Sequence, residues 1–299
     1  MSRVHPLDRQ TLVAAITAFL ANQDHLDEIR TALETELDAA GPRALAELNA
    51  RLARAGDDWT YYERDPLVRR IHQRLADRIL LPGSALVGIE HITAAAGKPV
   101  VIVANHLSYS DANLLEVLLY QSGGAARGMS DRLTVIAGPK VYSNPKRHFS
   151  SLCFGTIKTP QSSAVSSEDA VMNAREVARA ARRSIDVAHE RLFRGDALLV
   201  FAEGTRSRTR EMQQTLTAVT RYFDFPDVWL LPAGITGSDE MFPIGEDGLH
   251  QVTAVVTLGR PIEARALHDA AKGDRRVMMD VVGTKIAELL PAEYRGAYS

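Results

Sequence analysis

The chain reads PVVIVANHLSYSDANLLEVLL at residues 99–119, and this stretch decides the fold class. Its first six residues form a short apolar run that ends at Ala104, which predicts a buried strand. Its last nine residues begin at Asp111 and carry apolar side chains at helical spacing, which predicts a helix. A polar turn, residues 105–110, joins the two. The stretch therefore predicts a strand, a turn and a helix, the unit from which parallel sheets are built.

The turn carries a His-x4-Asp pair, His106 and Asp111. A turn between them can fold the carboxylate back onto the imidazole, so that one ring nitrogen is held while the other faces a substrate hydroxyl. The same spacing recurs at His72 and Asp77, but inside a predicted helix, where five positions at about 100° each separate the side chains by roughly 140°. Spacing alone is thus weak evidence. For His106 a purely structural turn role stays the alternative to a general base.

After residue 84 the alternation of apolar runs and amphipathic segments continues, with predicted strands at 85–89, 99–104, 133–137, 197–202, 228–233 and 252–258. Predicted helices lie at 111–120, 167–193, 210–223 and 274–290. Residues 1–83 show only helical spacing, broken at Gly41-Pro42 and at Gly56. We therefore predict an α/β domain, 84–299, with a mostly parallel mixed sheet flanked by helices, preceded by a small N-terminal helical bundle, 1–83. In such sheets ligands bind at the carboxyl ends of strands, where His106 lies.

Composition limits the class of protein. The 299 residues are 45% hydrophobic and 24% charged with a net charge of −2, which is ordinary for a soluble protein and gives no indication of nucleic-acid binding. The one cysteine, Cys153, excludes an intrachain disulfide, and a small buried thiol is the expectation for it. No secretion signal and no run near the ~20 apolar residues of a spanning helix is visible. We expect a cytoplasmic protein, with any membrane contact peripheral and on the inner face.

A second polar segment follows the predicted strand 197–202. It combines a carboxylate, a glycine, two hydroxyls and two guanidinium groups: Glu203, Gly204, Thr205, Arg206, Ser207 and Arg208. Guanidinium groups match phosphate oxygens in paired hydrogen bonds, which predicts a phosphomonoester clamp. Residues 127–160 add six Lys or Arg against one Asp. The alternative is a solvated basic loop with Glu203 paired to one arginine.

These residues resemble the glycerophospholipid acyltransferases (PlsC-like), which share four ordered blocks. Residues 105–111 are similar to the first block, FGTIK at 154–158 to the second, FAEGTRS at 201–207 to the third and LPAG at 231–234 to the fourth. The leading helices make the chain most similar to soluble plastid-type glycerol-3-phosphate acyltransferases. Two departures are visible: Thr159 follows Lys158 where that type has a His, and the third block reads more like lysophosphatidate acyltransferases.

The resemblance implies acyl transfer from a thioester of acyl carrier protein or coenzyme A to the hydroxyl of glycerol 3-phosphate, with its monoacyl product as the alternative acceptor. His106 would be the base and Asp111 its orienting acid. The phosphate would be held by three cations, Lys158, Arg206 and Arg208. Five further residues would bind substrate or shape the site: Glu203, Gly204, Thr205, Lys140 and Thr159. No cofactor and no metal are expected.

Other readings stay open. Ser108 or Ser110 beside His106 would suit a Ser-His hydrolase, although no Gly-x-Ser-x-Gly elbow accompanies them. A basic α/β domain could also bind anionic lipids without turnover. Metal binding by His106, Asp111 and Glu203 is a further alternative, but neither a His-x-x-x-His pair nor a Cys-rich cluster supports it. We expect His148 to be an exposed loop histidine.

Overall fold

The computed structural model describes residues 8–20, 25–54, 60–160, 174–243, 245 and 248–299. Within them, nine strands form one mixed sheet in the order β1-β5-β4-β6-β3-β7-β8-β2, and β9 pairs with β7. The strands are β1 (Tyr61–Tyr62), β2 (Ala85–Val87), β3 (Val100–Ala104), β4 (Leu133–Ala137), β5 (Gly155–Lys158), β6 (Ala197–Phe201), β7 (Trp229–Thr236), β8 (Val255–Leu258) and β9 (Ile262–Glu263).

The centre of the sheet is parallel. Strands β5, β4, β6, β3 and β7 run in one direction. Strand β1 is antiparallel to β5, β8 and β9 are antiparallel to β7, and β2 is parallel to β8. All five residues of β3 are buried, as expected for a strand covered on both faces. The predicted mostly parallel mixed α/β sheet is therefore confirmed.

Helices precede the sheet and flank it. They are α1 (Arg9–Phe19), α2 (Leu26–Arg54), α3 (Pro66–Ile79), α4 (Glu90–Ala94), α5 (Asp111–Gln121), α6 (Gly124–Ser130), α7 (Pro139–Tyr142), α8 (Pro145–Ser151), α9 (Ala174–Phe193), α10 (Ser238–Met241), α11 (Ala264–Ala270), α12 (Arg275–Ala287) and α13 (Ala292–Arg295), with 3-10 turns at Thr217–Phe223 and Gly296–Tyr298. Among the described residues, none of these helices combines the length and apolarity that crossing a bilayer requires.

The N-terminal helices contact the sheet domain. Helix α2 kinks at Gly41, whose φ of +74° is a conformation that glycine adopts readily, and Pro42 follows it as the Gly-Pro step predicts. Strand β1 pairs with β5, and Arg69 of α3 bonds Glu116 of α5 across 2.7 Å. The predicted break at Gly56 and the predicted helical residues 167–173 lie outside the described residues. The division of the chain at residues 83/84 stays a prediction.

One predicted helix is wrong. Residues 210–216 are not helical, and only the 3-10 turn at Thr217–Phe223 follows them. Arg210 has a φ of +63°, and the backbone nitrogens of Met212 and Leu216 donate to carbonyls of Tyr294 and Ala202. Tertiary hydrogen bonds therefore replace those of a helix. The short strands β1, β5 and β9 were missing from the sequence prediction, since two to four residues show too little alternation to be recognised.

Candidate active site

His106 and Asp111 meet in the turn between β3 and α5. His106 Nδ1 lies 2.7 Å from Asp111 Oδ2, so the predicted contact is present. Asp111 is fully buried and also accepts from the backbone nitrogens of Leu107 at 2.7 Å and Ser108 at 3.1 Å, and from Ser238 Oγ at 2.6 Å. A carboxylate surrounded by donors stays an acceptor, so Nδ1 carries the hydrogen. Nε2 then has the lone pair that a base needs.

The ring of Phe201 holds the imidazole in place. The two ring centroids lie 3.9 Å apart with 12° between the planes. Phe201 ends β6, and its parallel pairing puts it opposite Ala104 at the end of β3. The register of the two strands therefore covers one face of His106 and leaves 14% of its side chain exposed.

Glu203 connects the loop after β6 to the His106 turn. Its Oε1 accepts from the backbone nitrogen of His106 and its Oε2 from that of Gln213, both at 2.8 Å. Burial raises the pKa of Glu203 to about 7, against the lowering effect of these two hydrogen bonds and with a contribution from the charge of Asp111. Among the ion pairs of the described residues, none joins Glu203 to an arginine. Glu203 therefore connects the His106 turn to the segment at Gln213 through hydrogen bonds and is not half of a surface salt bridge.

Arg206 lies beside the His106 turn. Its guanidinium carbon is 3.6 Å from the ring centroid of Tyr109, a residue of that turn. Burial and the nearby charge of Arg147 lower the pKa of Arg206, while Tyr109 and the carboxylate of Asp111 raise it. The structure thus brings together the predicted base His106, the carboxylate of Asp111 and one of the predicted phosphate cations.

Lys158 stands farther along the same sheet edge. It ends β5, three strands from β3, which is roughly 14 Å at about 4.8 Å per strand. Its Nζ lies 4.5 Å from the ring centroid of Tyr142, whose hydroxyl donates to the carbonyl of Thr159 at 3.3 Å. Lys158 and Thr159 therefore belong to a group around Tyr142, and no described contact joins them to Arg206.

The remaining predicted site residues differ in exposure. Arg208 and Lys140 are exposed and Thr205 is half-buried. Gly204 has a φ of +65°, a conformation that favours glycine, and a Cβ there would lie 2.2 Å from Leu216 Cδ1, so that a larger residue would also displace the Leu216 side chain. The neighbouring Ser207 is buried, and its hydroxyl accepts from the backbone nitrogen of Thr209.

The prediction for His148 is wrong. It is buried in α8, where its ring lies 5.0 Å from that of Tyr62. Burial, with the charge of Lys158, lowers its pKa to about 4. Sequence reasoning missed this because the flanking charged residues Lys146 and Arg147 are typical of an exposed loop.

The prediction for Cys153, by contrast, is confirmed: it is buried, which raises the pKa of its thiol.

The second His-x4-Asp pair behaves as helix geometry predicts. His72 bonds the carbonyl of Val68 and Ser150 Oγ, whereas Asp77 accepts from Gln121. Of the two serines that a hydrolase could use, Ser108 is buried and its Oγ accepts from the backbone nitrogen of Ser110 at 3.3 Å, whereas Ser110 is half-buried. That use of the hydroxyl is typical of a turn.

Sequence reasoning missed four residues of the site: Tyr109, Arg147, Gln213 and Ser238. Ser238 had one available signal, since it comes just after the apolar run that forms β7. Polar residues at strand ends are candidates in any parallel sheet. The contacts of Arg147 and Gln213 join segments that no local pattern connects.

Residues 85–236, just over half of the chain, match the sequence profile of a protein family described as Acyltransferase. The match contains both the His106 turn and the 203–208 loop. The crystal structure of the 1-acyl-sn-glycerophosphate (LPA) acyltransferase PlsC from Thermotoga maritima is similar, with a TM-score of 0.52 and 18% identity over 94% of this chain and 98% of that one. At this identity the similarity shows the fold. No curated protein matches the chain.

Proposed function

The chain belongs to the acyltransferase family, and we propose that it moves a fatty acyl group from a thioester to the hydroxyl of glycerol 3-phosphate. The donor would be acyl carrier protein or coenzyme A. The observation that carries the proposal is the contact of His106 Nδ1 with the buried carboxylate of Asp111 at 2.7 Å, with the guanidinium of Arg206 packed against Tyr109 of the same turn. A base and a cation for the acceptor thus lie together.

The chemistry needs no acyl-enzyme. Nε2 of His106 takes the proton of the acceptor hydroxyl as that oxygen attacks the thioester carbon, and Asp111 stabilises the imidazolium. When the carbon–sulfur bond breaks, the thiolate leaves and the imidazolium returns the proton to it. The products are an ester and a thiol, and the histidine is again neutral.

The phosphate of the acceptor would orient its hydroxyl. Arg206 packs against Tyr109 of the turn that carries His106, and Arg208 follows on the exposed part of the same loop. Lys158 would contribute from the neighbouring group around Tyr142. A bound phosphate that fixes the hydroxyl near Nε2 lowers the entropic cost of the reaction.

The monoacyl product, lysophosphatidate, is the second candidate acceptor. The third block, Glu203 to Arg208, favours it, and the similar Thermotoga maritima structure is that of an LPA acyltransferase. With either acceptor a product is an amphipathic lipid. We therefore propose a cytoplasmic enzyme in peripheral contact with the inner face of the membrane.

The test is to incubate the purified protein with an acyl thioester of coenzyme A or of carrier protein, and with glycerol 3-phosphate, lysophosphatidate or water. We expect thiol release that depends on an acceptor and falls by about 10²–10⁴ in His106→Ala. His268→Ala is the control, because it removes an exposed His–Asp contact elsewhere. Equal release with water alone would indicate a hydrolase. Lipid binding without any release, unchanged in His106→Ala, would indicate a binding module.

A further inference from the structure

Two guanidinium groups lie on one aromatic ring beside His106. The guanidinium carbon of Arg147 is 3.7 Å from the ring centroid of Tyr109, and that of Arg206 is 3.6 Å from the same point. The two carbons are therefore no more than about 7 Å apart, a distance over which like charges repel in a half-buried site. Arg147 comes from α8 and Arg206 from the loop after β6, so two separate elements converge on the turn.

The charges of these two arginines are not balanced by ion pairing. Among the salt bridges of the described residues, none includes Arg147 or Arg206. Arg147 donates from Nη1 to the carbonyl of Lys140 at 3.0 Å, and Asn144 caps the start of its helix. At this separation the two charges repel: burial and, to a smaller extent, the charge of Arg147 lower the pKa of Arg206. Two cations held close together, neither of them in an ion pair with a carboxylate of the described residues, favour an anionic ligand that contacts both.

We propose that Arg147 is the second guanidinium of the acceptor phosphate site and that Tyr109 is the platform that holds it beside Arg206. This rests on the proposed acyl transfer and specifies how its acceptor is recognised. A phosphomonoester has three terminal oxygens, so it can accept from both arginines at once. Its negative charge also removes the repulsion between them. Because Tyr109 lies three residues after His106, this anchors the phosphate next to the base.

A purely structural role for Arg147 would have a different signature. If the guanidinium only fixed α8 against the turn, its loss would lower the melting temperature and impair both substrates together. A phosphate ligand instead affects the acceptor alone. The ratio of the KM changes for acceptor and thioester therefore separates the two roles.

The test compares Arg147→Ala with the wild-type protein by steady-state kinetics, thermal unfolding and calorimetric titration of glycerol 3-phosphate. We expect the acceptor KM and dissociation constant to rise by about 10–100-fold, as for loss of a hydrogen bond between charged groups. The thioester KM should not change. Arg147→Lys should recover part of the loss, since it keeps the charge but not the planar fork.

Two variants serve as matched controls for Arg147→Ala, because each also removes one positive charge. Lys146→Ala removes the neighbouring charge of α8 without touching Tyr109, and its Nζ lies 5.6 Å from the Phe19 ring instead. Arg127→Ala removes a guanidinium that sits 4.1 Å from the centroid of another tyrosine, Tyr120. Both should leave the acceptor KM unchanged. An unchanged acceptor KM in Arg147→Ala, or equal loss for both substrates, would overturn the proposal.

Failure of the proposed acyl transfer can be distinguished from failure of the proposed phosphate site. If wild-type protein transfers to neither acceptor, the proposed function fails. Titration with inorganic phosphate then still decides whether an anion site exists, because Arg147→Ala must weaken that binding relative to Lys146→Ala. Equal phosphate affinity in these two variants would refute the anion site on its own.

Discussion

Glu203 Oε1, in the loop after β6, accepts a hydrogen bond from the backbone nitrogen of His106, just after β3, across 2.8 Å. The carboxylate is buried, and burial raises its pKa from 4.5 to about 7. The loop that carries Arg206 is therefore joined to the His106 turn through a group whose protonation differs between the folded and unfolded chain.

This difference predicts a pH effect on stability. Between about pH 4.5 and 7 the unfolded chain releases the Glu203 proton while the folded chain keeps it, so the free energy of unfolding falls as the pH rises. Above pH 7 the loss is complete and is of the order of 3 kcal/mol. Glu203→Gln has no such proton. The variant should gain stability relative to wild type from pH 5 to 8, as measured by urea denaturation.

Comparing wild type with Glu203→Gln removes the effect of other groups that titrate in both proteins. His72 and His148 have their pKa lowered to about 4 by burial, which makes both proteins less stable below pH 6.5 by equal amounts. A difference between wild type and variant that stays constant from pH 5 to 8 would contradict the prediction.

Ser238 is predicted to support the carboxylate of Asp111. Its hydroxyl donates to Oδ1 at 2.6 Å, so Ser238→Ala weakens the hold on the charge that stabilises the imidazolium. We expect kcat to fall by about tenfold, with both KM values unchanged. Ser122→Ala, which removes a hydroxyl bonded to Leu118 at the other end of α5, is the control. Equal kcat values for the two variants would exclude a role for Ser238.

A side chain at position 204 is predicted to destabilise the loop after β6. Gly204→Ala puts a Cβ 2.2 Å from Leu216 Cδ1 in a left-handed backbone conformation, which costs about 1–2 kcal/mol before any overlap. Stability and acceptor affinity should both fall. Adding Leu216→Ala should restore the stability lost to the overlap but not the stability lost to the left-handed backbone conformation. A double variant no more stable than Gly204→Ala would show that the overlap does not contribute.

The ion pair between α3 and α5 is predicted to link the N-terminal helices to the sheet domain. Arg69 Nε lies 2.7 Å from Glu116 Oε1, and Glu116 is fully buried. Arg69→Ala leaves a buried carboxylate without its cation, which should cost about 3–5 kcal/mol in unfolding free energy. Arg69→Met with Glu116→Leu should recover most of it, since no charge is then buried. A double variant as unstable as Arg69→Ala would contradict this account.

Local patterns were enough to locate most of the sheet. The strand β3 and the helix that begins at Asp111 follow from burial and helical spacing over neighbouring residues, and each of the six predicted strands overlaps an observed one. The contact of His106 with Asp111 is also local, because the two residues are only five positions apart in the chain. The exception is 210–216, where helical spacing was overridden by hydrogen bonds to Ala202 and Tyr294.

By itself, then, the sequence determined the α/β class, the strand ends that carry polar residues and the two blocks around His106 and Arg206. Only the tertiary structure decided which of these residues meet. Ser238 reaches Asp111 and Arg147 reaches Tyr109 because the order of strands in the sheet brings distant segments to one edge, while the same order holds Lys158 three strands away. Side-chain patterns record the burial and hydrogen bonding of nearby residues, whereas strand order results from packing between segments far apart in the chain.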